Sequence, residues 1–167
     1  MREQYLDQME LERERGITIK LAPVQMKFVY KNQDYILNLI DTPGHADFSY
    51  EVSRSLAAVE GAILLVDASK GVQAQTVAHF EQSQKENLVI IPAINKIDLI
   101  SSKIETVEKE IKSLVGENLP IFKISAKDST GVESLLEEVI EKIPAPKGDP
   151  QKPLRALVFD SFYDPFL

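Results

Sequence analysis

Four short polar clusters carry the residue types that bind charged or hydrogen-bonding ligands. They are RGITIK at 15–20, DTPGH at 41–45, NKID at 95–98 and SAK at 125–127. Each lies where an apolar run begins or ends, and the loops beyond the carboxyl ends of parallel strands form the ligand crevice of a doubly wound sheet. Each cluster alone is weak evidence, because Asp and Asn also form turns and cap helices. Their joint placement at strand boundaries indicates one ligand site.

The hydrophobic pattern predicts the elements that position these clusters. Residues 21–40 have the pattern of an antiparallel hairpin, whose second strand, Tyr35–Ile40, is more uniformly apolar and lies deeper in the sheet. Strands and amphipathic helices then alternate, as in a parallel sheet covered on both faces. The predicted strands are 62–66, 89–94 and 121–124, and the predicted helices are about 46–59, 73–86, 104–115 and 132–143.

Composition excludes several classes of protein. With 167 residues, of which 44% are hydrophobic, the chain fits one domain of ordinary size and part of another. The net charge of −7 argues against a broad nucleic-acid-binding surface, and the absence of cysteine excludes disulfides and thiolate metal sites. The charged segment 1–15 cannot be the apolar core of a secretory signal, and the run 88–94 is too short to cross a bilayer. We therefore expect a soluble, cytoplasmic protein.

A change of composition predicts a domain boundary. The segment PAPKGDPQKP at 144–153 contains four prolines and no hydrophobic period, which is typical of a stiff linker. We assign residues 1–146 to the first domain, 147–153 to a Pro-rich linker and 154–167 to the first strand of a following domain that the sequence truncates.

In their order along the chain, the four clusters resemble the switch-one threonine, D-x-x-G, N-K-x-D and S-A-K motifs of GTP-binding domains. ERGITIK and DTPGHADF are similar to the two switch regions of translational GTPases, although Ala46 stands where this family is expected to have valine. DFSYEVSRSLAAVEGAILLVDA and INKIDL resemble the LepA branch of ribosome-associated elongation factors more closely than elongation factor G.

The resemblance implies a fold and a partial domain. The fold is α/β, a P-loop-NTPase-type GTPase domain with a mostly parallel sheet, one antiparallel edge hairpin strand and helices on both faces. Residues 1–146 would be a partial GTPase domain that starts in switch one, and 154–167 the start of a β-barrel. The chain has no G-x-x-x-x-G-K-[ST] loop, so we expect the first strand, the phosphate loop and the first helix to be absent.

The resemblance also assigns the phosphate side of the site. Thr18 would give its hydroxyl to Mg²⁺, and Asp41 would hold the same ion through a water. Gly44, which lacks Cβ, would let its N–H approach the γ-phosphate closely. His45 would be the catalytic residue that orients the attacking water, and its ordinary pKa is compatible with a neutral imidazole at pH 7.

The base side of the site has an equally direct rationale. Guanine presents N1–H and N2–H₂ as two adjacent donors, which the Asp98 carboxylate would accept in bidentate fashion. Adenine lacks this donor pair and would leave the carboxylate unpaired.

Five further residues complete the predicted nucleotide site. Asn95 would tie the loops together and contact the base edge, and the stem of Lys96 would cover one face of the base. Ser125 and the N–H of Ala126 would reach the Asp98 carboxylate and the guanine O6, and Lys127 would pack on the other face of the base.

Two other polar residues receive no role in ligand binding. His79 is expected to be an ordinary helical residue. Asp67 ends a strand close to the predicted loops, but no specific partner is predicted for it.

The functional hypotheses fall into three classes. The first is a ribosome-dependent GTPase that uses GTP or GDP with Mg²⁺, either LepA-like or another translational GTPase such as elongation factor G. The second is a guanine-nucleotide-binding module without hydrolysis, and the third is a truncated chain without its own function. We expect no turnover by these 167 residues alone, because the phosphate loop is missing.

The expected partners follow from the same resemblance. They are the ribosome and a guanine nucleotide, but not DNA; peripheral membrane association stays open, and the mitochondrial matrix is the alternative to the cytoplasm. The missing first strand would also leave two strand edges open, so we expect marginal stability or self-association.

Overall fold

The computed structural model describes residues 22–44, 48–149, 151–153 and 156. Thr18 and His45, the predicted metal ligand and catalytic residue, lie outside these ranges. No helix in the described ranges is long and apolar enough to cross a bilayer.

The predicted antiparallel hairpin is confirmed, but its second strand does not lie deeper, since Ile36 and Leu39 are 60% and 41% exposed. Strands β1 (Ala22–Tyr30) and β2 (Gln33–Asp41) pair antiparallel along their whole length. The two turn residues, Lys31 and Asn32, have φ values of 49° and 60°. Two positive φ values in succession match the twist of the strands that flank a tight hairpin, so β2 starts two residues before the predicted Tyr35.

The strands that follow form a parallel sheet in the order β3-β4-β5. Strand β3 is Gly61–Asp67, β4 is Val89–Asn95 and β5 is Phe122–Lys123. The helices between and after them are α1 (Ser49–Leu56), α2 (Ala74–Lys85), α3 (Ile104–Val115) and α4 (Val132–Lys142). The predicted alternation is confirmed, but α1 ends three residues early, because the chain must turn between Ala57 and Glu60 before it enters β3.

The core lies on both faces of this sheet. On one face, Val66 and Ile94 pack with Val107 and Ile111 of α3. On the other face, Ile91, Ala93 and Ile124 pack with Leu135 of α4. Successive residues of β4 point to opposite faces, so one apolar strand supplies both clusters. Helices therefore cover both faces, as the apolar strands predicted.

The hairpin and the parallel sheet do not join into one sheet within the described residues. Instead, the turn of the hairpin contacts the end of α4: Lys31 Nζ lies 2.8 Å from Glu141 Oε1, and the Tyr30 hydroxyl donates to the same oxygen. The expected gap between β2 and β3 is thus present in the described part of the fold. Leu65 of β3 is 52% exposed, which is unusual for the middle of a parallel strand.

Candidate nucleotide-binding site

Three loops meet at the carboxyl-terminal edge of the parallel sheet. They follow β3 at Asp67, β4 at Asn95 and β5 at Lys123. The register pairs Asp67 with Asn95 and Ile94 with Lys123, so the three strands end side by side. Polar residues that are distant in sequence therefore lie at one edge, where α/β sheets hold their ligands.

Asn95 connects these loops. Its side-chain oxygen accepts hydrogen bonds from the N–H of Lys96 at 2.8 Å and from the N–H of Ala126 at 3.0 Å. Its backbone carbonyl accepts a third, from the N–H of Ala68 at 2.9 Å. The structure thus places Asn95 where the sequence expected a residue that ties the loops, and its contact with a base edge stays a prediction.

Asp98 and Ser125 contact each other across two loops. The Ser125 hydroxyl donates to Asp98 Oδ1 at 2.7 Å, and Ser125 itself is fully buried. Ser125 is in turn fixed by its N–H, which donates to the Thr130 carbonyl at 2.9 Å. Asp98 is exposed, and an ionised carboxylate can accept several further hydrogen bonds. A buried hydroxyl therefore orients an exposed carboxylate.

Lys96 reverses the chain between Asn95 and Asp98. Its φ is 64°, in the left-handed region that is uncommon for residues other than glycine. Its N–H donates to the Asn95 side chain. Ile97 then donates its N–H to the Ile124 carbonyl at 3.3 Å, which brings the loop back to the end of β5. The ammonium of Lys96 lies 2.9 Å from Asp67 Oδ2.

Asp67, for which the sequence predicts no partner, has two in the structure, Ser69 and Lys96. Its Oδ1 accepts hydrogen bonds from the N–H and the hydroxyl of Ser69, at 2.8 and 2.6 Å. Desolvation raises the pKa of Asp67, but the hydrogen bonds from Ser69 and Lys96 outweigh it and lower that pKa to about 2. Asp67 and Asn95 each end an apolar run in the sequence, but that the two strands end at the same level is seen only in their register.

Two of the residues predicted for the phosphate side, Asp41 and Gly44, lie at the end of the hairpin. Asp41 is the last residue of β2 and is half-buried, Pro43 is buried, and Gly44 is exposed. A Cβ built on Gly44 would meet no atom within 4 Å, so packing in the described residues does not require glycine there. Close approach to a phosphate stays the predicted reason for this glycine.

The family of the chain follows from its match to a known domain. Residues 1–145 match the family described as the elongation factor Tu GTP binding domain. The chain belongs to this translational GTPase family. The resemblance of ERGITIK, DTPGHADF and INKIDL to translational GTPases is thereby confirmed, as is the GTPase-type α/β fold.

Relatives more than 50% identical to the chain are named as translation factors. The chain is 56% identical over 167 residues to elongation factor 4 of Aquifex aeolicus and 58% identical over 168 residues to that of Geobacillus thermodenitrificans, covering 99% of this chain and 28% of each relative. It is 54% identical to a chloroplastic translation factor GUF1 homolog of Ricinus communis, of which it covers 24%. The chain thus spans about a quarter of the length of these relatives.

Solved structures of the family share the fold. A bacterial selenocysteine-specific elongation factor EF-Sec superposes with a TM-score of 0.72 at 24% identity, over 81% of this chain and 24% of the other. Elongation factor SelB of Methanococcus maripaludis, solved with the GTP analogue GppNHp, superposes with a TM-score of 0.67 at 31% identity, over 74% of this chain and 28% of the other.

The oxygen donors predicted for the metal site, the Thr18 hydroxyl and the Asp41 carboxylate, are of the kind that a divalent cation such as Mg²⁺ prefers. Mg²⁺ prefers hard oxygen ligands and keeps several waters, so one carboxylate and one hydroxyl suffice beside the phosphates of a nucleotide. Asp41 would supply the carboxylate, and Thr18 lies outside the described ranges. Those ranges contain no cluster of three or more His, Asp or Glu side chains that would form an all-protein metal cage.

Proposed function

We propose that the chain is the guanine-nucleotide-binding part of a LepA-like, ribosome-associated translation elongation factor. The observation that carries this proposal is the exposed Asp98 carboxylate, which the buried Ser125 hydroxyl orients at the carboxyl edge of the sheet. A carboxylate held in this way accepts two adjacent N–H donors from guanine with one oxygen already aligned. The family membership and the relatives named elongation factor 4 support the same function.

Guanine selectivity follows from the chemistry of that carboxylate. Guanine satisfies it with N1–H and N2–H₂, whereas adenine brings a lone pair at N1 toward a negative charge. A site that is built to accept such donors discriminates by roughly 10⁴ against a ligand without them. Asn95 and Ala126, which already share a hydrogen bond, would place the N–H of Ala126 near the guanine O6. The stem of Lys96 and the exposed Lys127 would cover the two faces of the base.

GTP hydrolysis is the proposed reaction of the intact factor. His45 orients a water toward the γ-phosphorus, a new P–O bond forms, and the bond from the γ-phosphorus to the bridging β–γ oxygen breaks, which leaves GDP and phosphate. Thr18 and, through a water, Asp41 would hold Mg²⁺, which would supply positive charge against the phosphates. The N–H of Gly44 donates to the γ-phosphate. These roles explain why an acid, a glycine and a histidine stand close together in the sequence from the last residue of β2 onward.

One observation favours a second function, nucleotide binding without turnover, for the 167 residues on their own. None of the seven glycines lies in a G-x-x-x-x-G-K-[ST] arrangement, so the backbone cradle and lysine that hold the β- and γ-phosphates are missing from the 167 residues. Loss of several charge-assisted hydrogen bonds weakens binding strongly. We therefore propose weak guanine-nucleotide binding and no turnover by this chain alone.

The decisive test is the base preference of Asp98→Asn. Fluorescent GDP and GTP should bind much more tightly to a chain extended upstream by a phosphate-loop segment than to the 167 residues alone. Asp98→Asn should shift the preference from guanine toward xanthine, because the amide can donate to the oxygen that xanthine has at C2. The control is Asp149→Asn, which removes an exposed carboxylate of the Pro-rich segment and should change nothing. An unchanged preference in Asp98→Asn contradicts the assignment of the base.

The hydrolytic role of His45 has a separate test. His45→Ala should leave the affinity for GDP within about twofold of the wild-type value and reduce ribosome-stimulated hydrolysis by about 10²-fold or more. The matched control is His79→Ala in α2, which should retain hydrolysis. Equal losses in both variants would contradict a catalytic role for His45.

The partner and location follow from the relatives. The relatives include bacterial proteins named elongation factor 4 and chloroplastic translation factor homologs, so we propose the ribosome of a bacterial cytoplasm or of an organelle as the partner and its location. Co-sedimentation with ribosomes in the presence of a non-hydrolysable GTP analogue tests the partner. Absence of ribosome binding by the extended chain contradicts it.

A further inference from the structure

Asp67 lies outside the four motif clusters and is nevertheless built into the same edge of the sheet. Its side chain is 18% exposed, and both of its oxygens are engaged. Oδ1 accepts two hydrogen bonds from Ser69, and Oδ2 lies 2.9 Å from the ammonium of Lys96. The two hydrogen bonds from Ser69 thus hold the carboxylate in one orientation without a contribution from Lys96.

Lys96 needs such support because of its backbone. Its φ of 64° is uncommon for a residue with a side chain and persists only when neighbouring contacts hold it. Its N–H is fixed by Asn95, and its ammonium is fixed by Asp67. Two strands therefore restrain one residue, since Asp67 ends β3 and Asn95 ends β4.

The conformation of Lys96 determines where Asp98 lies. Only after the reversal at Lys96 can Ile97 donate to the Ile124 carbonyl and Asp98 accept from Ser125. A change at Lys96 is therefore transmitted to the carboxylate within two residues. The direction of the Lys96 stem is set by the same ion pair, which draws the ammonium toward β3.

We propose that Asp67 is a positioning residue for guanine recognition, which holds Lys96 in its reversed conformation and thereby presets the Asp98 carboxylate and the Lys96 stem. The ligand class rests on the proposed function. Asp67 touches no ligand itself: it acts through Lys96, and the loop has its binding geometry before the nucleotide arrives. Preorganisation of this kind raises affinity because the loop loses less conformational freedom on binding.

An ordinary surface ion pair would not have this effect. Exposed pairs contribute little, because two long side chains must be ordered and solvent screens the charges. Here one partner is largely buried and is already fixed by Ser69, so only the lysine loses freedom. The lowered pKa of Asp67 agrees with a carboxylate that is held in its ionised form.

The test compares Asp67→Asn with the wild-type chain by NMR, first without nucleotide. The substitution keeps the shape of the side chain and removes its charge. We expect the amide signals of Lys96, Asp98 and Ser125 to shift, the scalar coupling that reports φ of Lys96 to change, and the Lys96 ammonium signal to lose its protection. Ser69→Ala removes the hydroxyl donor and keeps the backbone N–H that also donates to Asp67 Oδ1, so it should give smaller shifts of the same signals. Asp67→Glu should restore part of the ammonium protection.

Titration with GDP gives the functional readout on the same samples. Asp67→Asn should weaken GDP binding by about tenfold. The control is Glu141→Gln, which breaks an ion pair of 2.8 Å with Lys31 at the hairpin turn and should leave both the loop signals and the GDP affinity unchanged.

Two different outcomes separate the two proposals. A wild-type chain whose spectrum does not respond to millimolar GDP contradicts the proposed function. Loop signals in Asp67→Asn that coincide with those of the wild type contradict the positioning role, whatever GDP does.

Discussion

Lys96 and Asp67 form the contact on which the geometry of the candidate site depends. A lysine with a φ of 64° is retained beside a carboxylate that Ser69 holds, and the reversal places Asp98 against Ser125. Because an ion pair is involved, this geometry must depend on the protonation of Asp67. The pKa of Asp67 is lowered from 3.8 to about 2, so the folded state favours the ionised form.

A pH dependence of stability follows at the scale of this residue. The contribution of Asp67 is fully present above its unfolded pKa of 3.8 and is lost as the pH falls through about 2. The free energy of unfolding should therefore differ most between the wild type and Asp67→Asn at neutral pH, and the difference should shrink as acid is added. Urea denaturation across this range measures it, with Asp149→Asn as the control. A difference that persists undiminished at the acid limit contradicts the role of Asp67.

Residues with local signals were predictable, and those that depend on strand register were not. Asn95, Asp98 and Ser125 carry motif signals, and the structure brings all three to one edge. Asp67 has no motif, and its contact with Lys96 exists only because β3 and β4 end at the same level. A single sequence does not state that register.

At the scale of elements, the start of α4 fixes the loop that carries Ser125. Gly131 precedes this helix with a φ of 71°, and a Cβ added there would collide with the carbonyl oxygen of Lys123. The preceding Thr130 accepts the N–H of Ser125, so the helix start and the Ser125 loop are one unit. A residue with a side chain at 131 would have to displace the end of β5.

Gly131→Ala should consequently destabilise the protein by about 2 kcal/mol, because alanine disfavours positive φ and its Cβ meets backbone that cannot yield easily. Thermal unfolding measures the loss, and the NMR signal of the Ser125 amide reports the loop. Gly148→Ala is the matched control, since a Cβ at Gly148 meets nothing within 4 Å. Equal melting temperatures for the two variants would show that the space at Gly131 is not restrictive.

Comparison of the predicted and observed element boundaries shows which structural features can be predicted from the sequence. The amphipathic helix α3 was predicted at 104–115 and ends at those residues, because its apolar stripe is packed in the core. Strand β5 was predicted at 121–124 but only Phe122 and Lys123 pair with β4. Ile124 remains buried and donates its N–H to Ile94, so hydrophobicity marked the buried segment correctly and could not mark where ladder pairing stops.

At the scale of the whole molecule, the described fold consists of two sheets with unequal cores. The parallel sheet has apolar clusters on both faces, whereas neither cluster includes a residue of the hairpin. In the described residues β3 pairs only with β4, and β2 pairs only with β1. Strand edges of this kind present unpaired N–H and C=O groups that can pair with another chain.

Self-association through the edge of β3 is the expected consequence. Leu65 is 52% exposed on this strand, and apolar side chains beside an open edge favour pairing between copies. Leu65→Lys should weaken self-association by at least about tenfold, because a lysine at an edge opposes strand addition. Sedimentation velocity over a range of concentrations measures this, and Ile100→Lys is the control, since Ile100 is fully exposed and belongs to a turn outside the strands. If the two lysine variants weaken association equally, general charge rather than the β3 edge is responsible; if both the wild type and Leu65→Lys stay monomeric at every concentration, the edge is closed in solution.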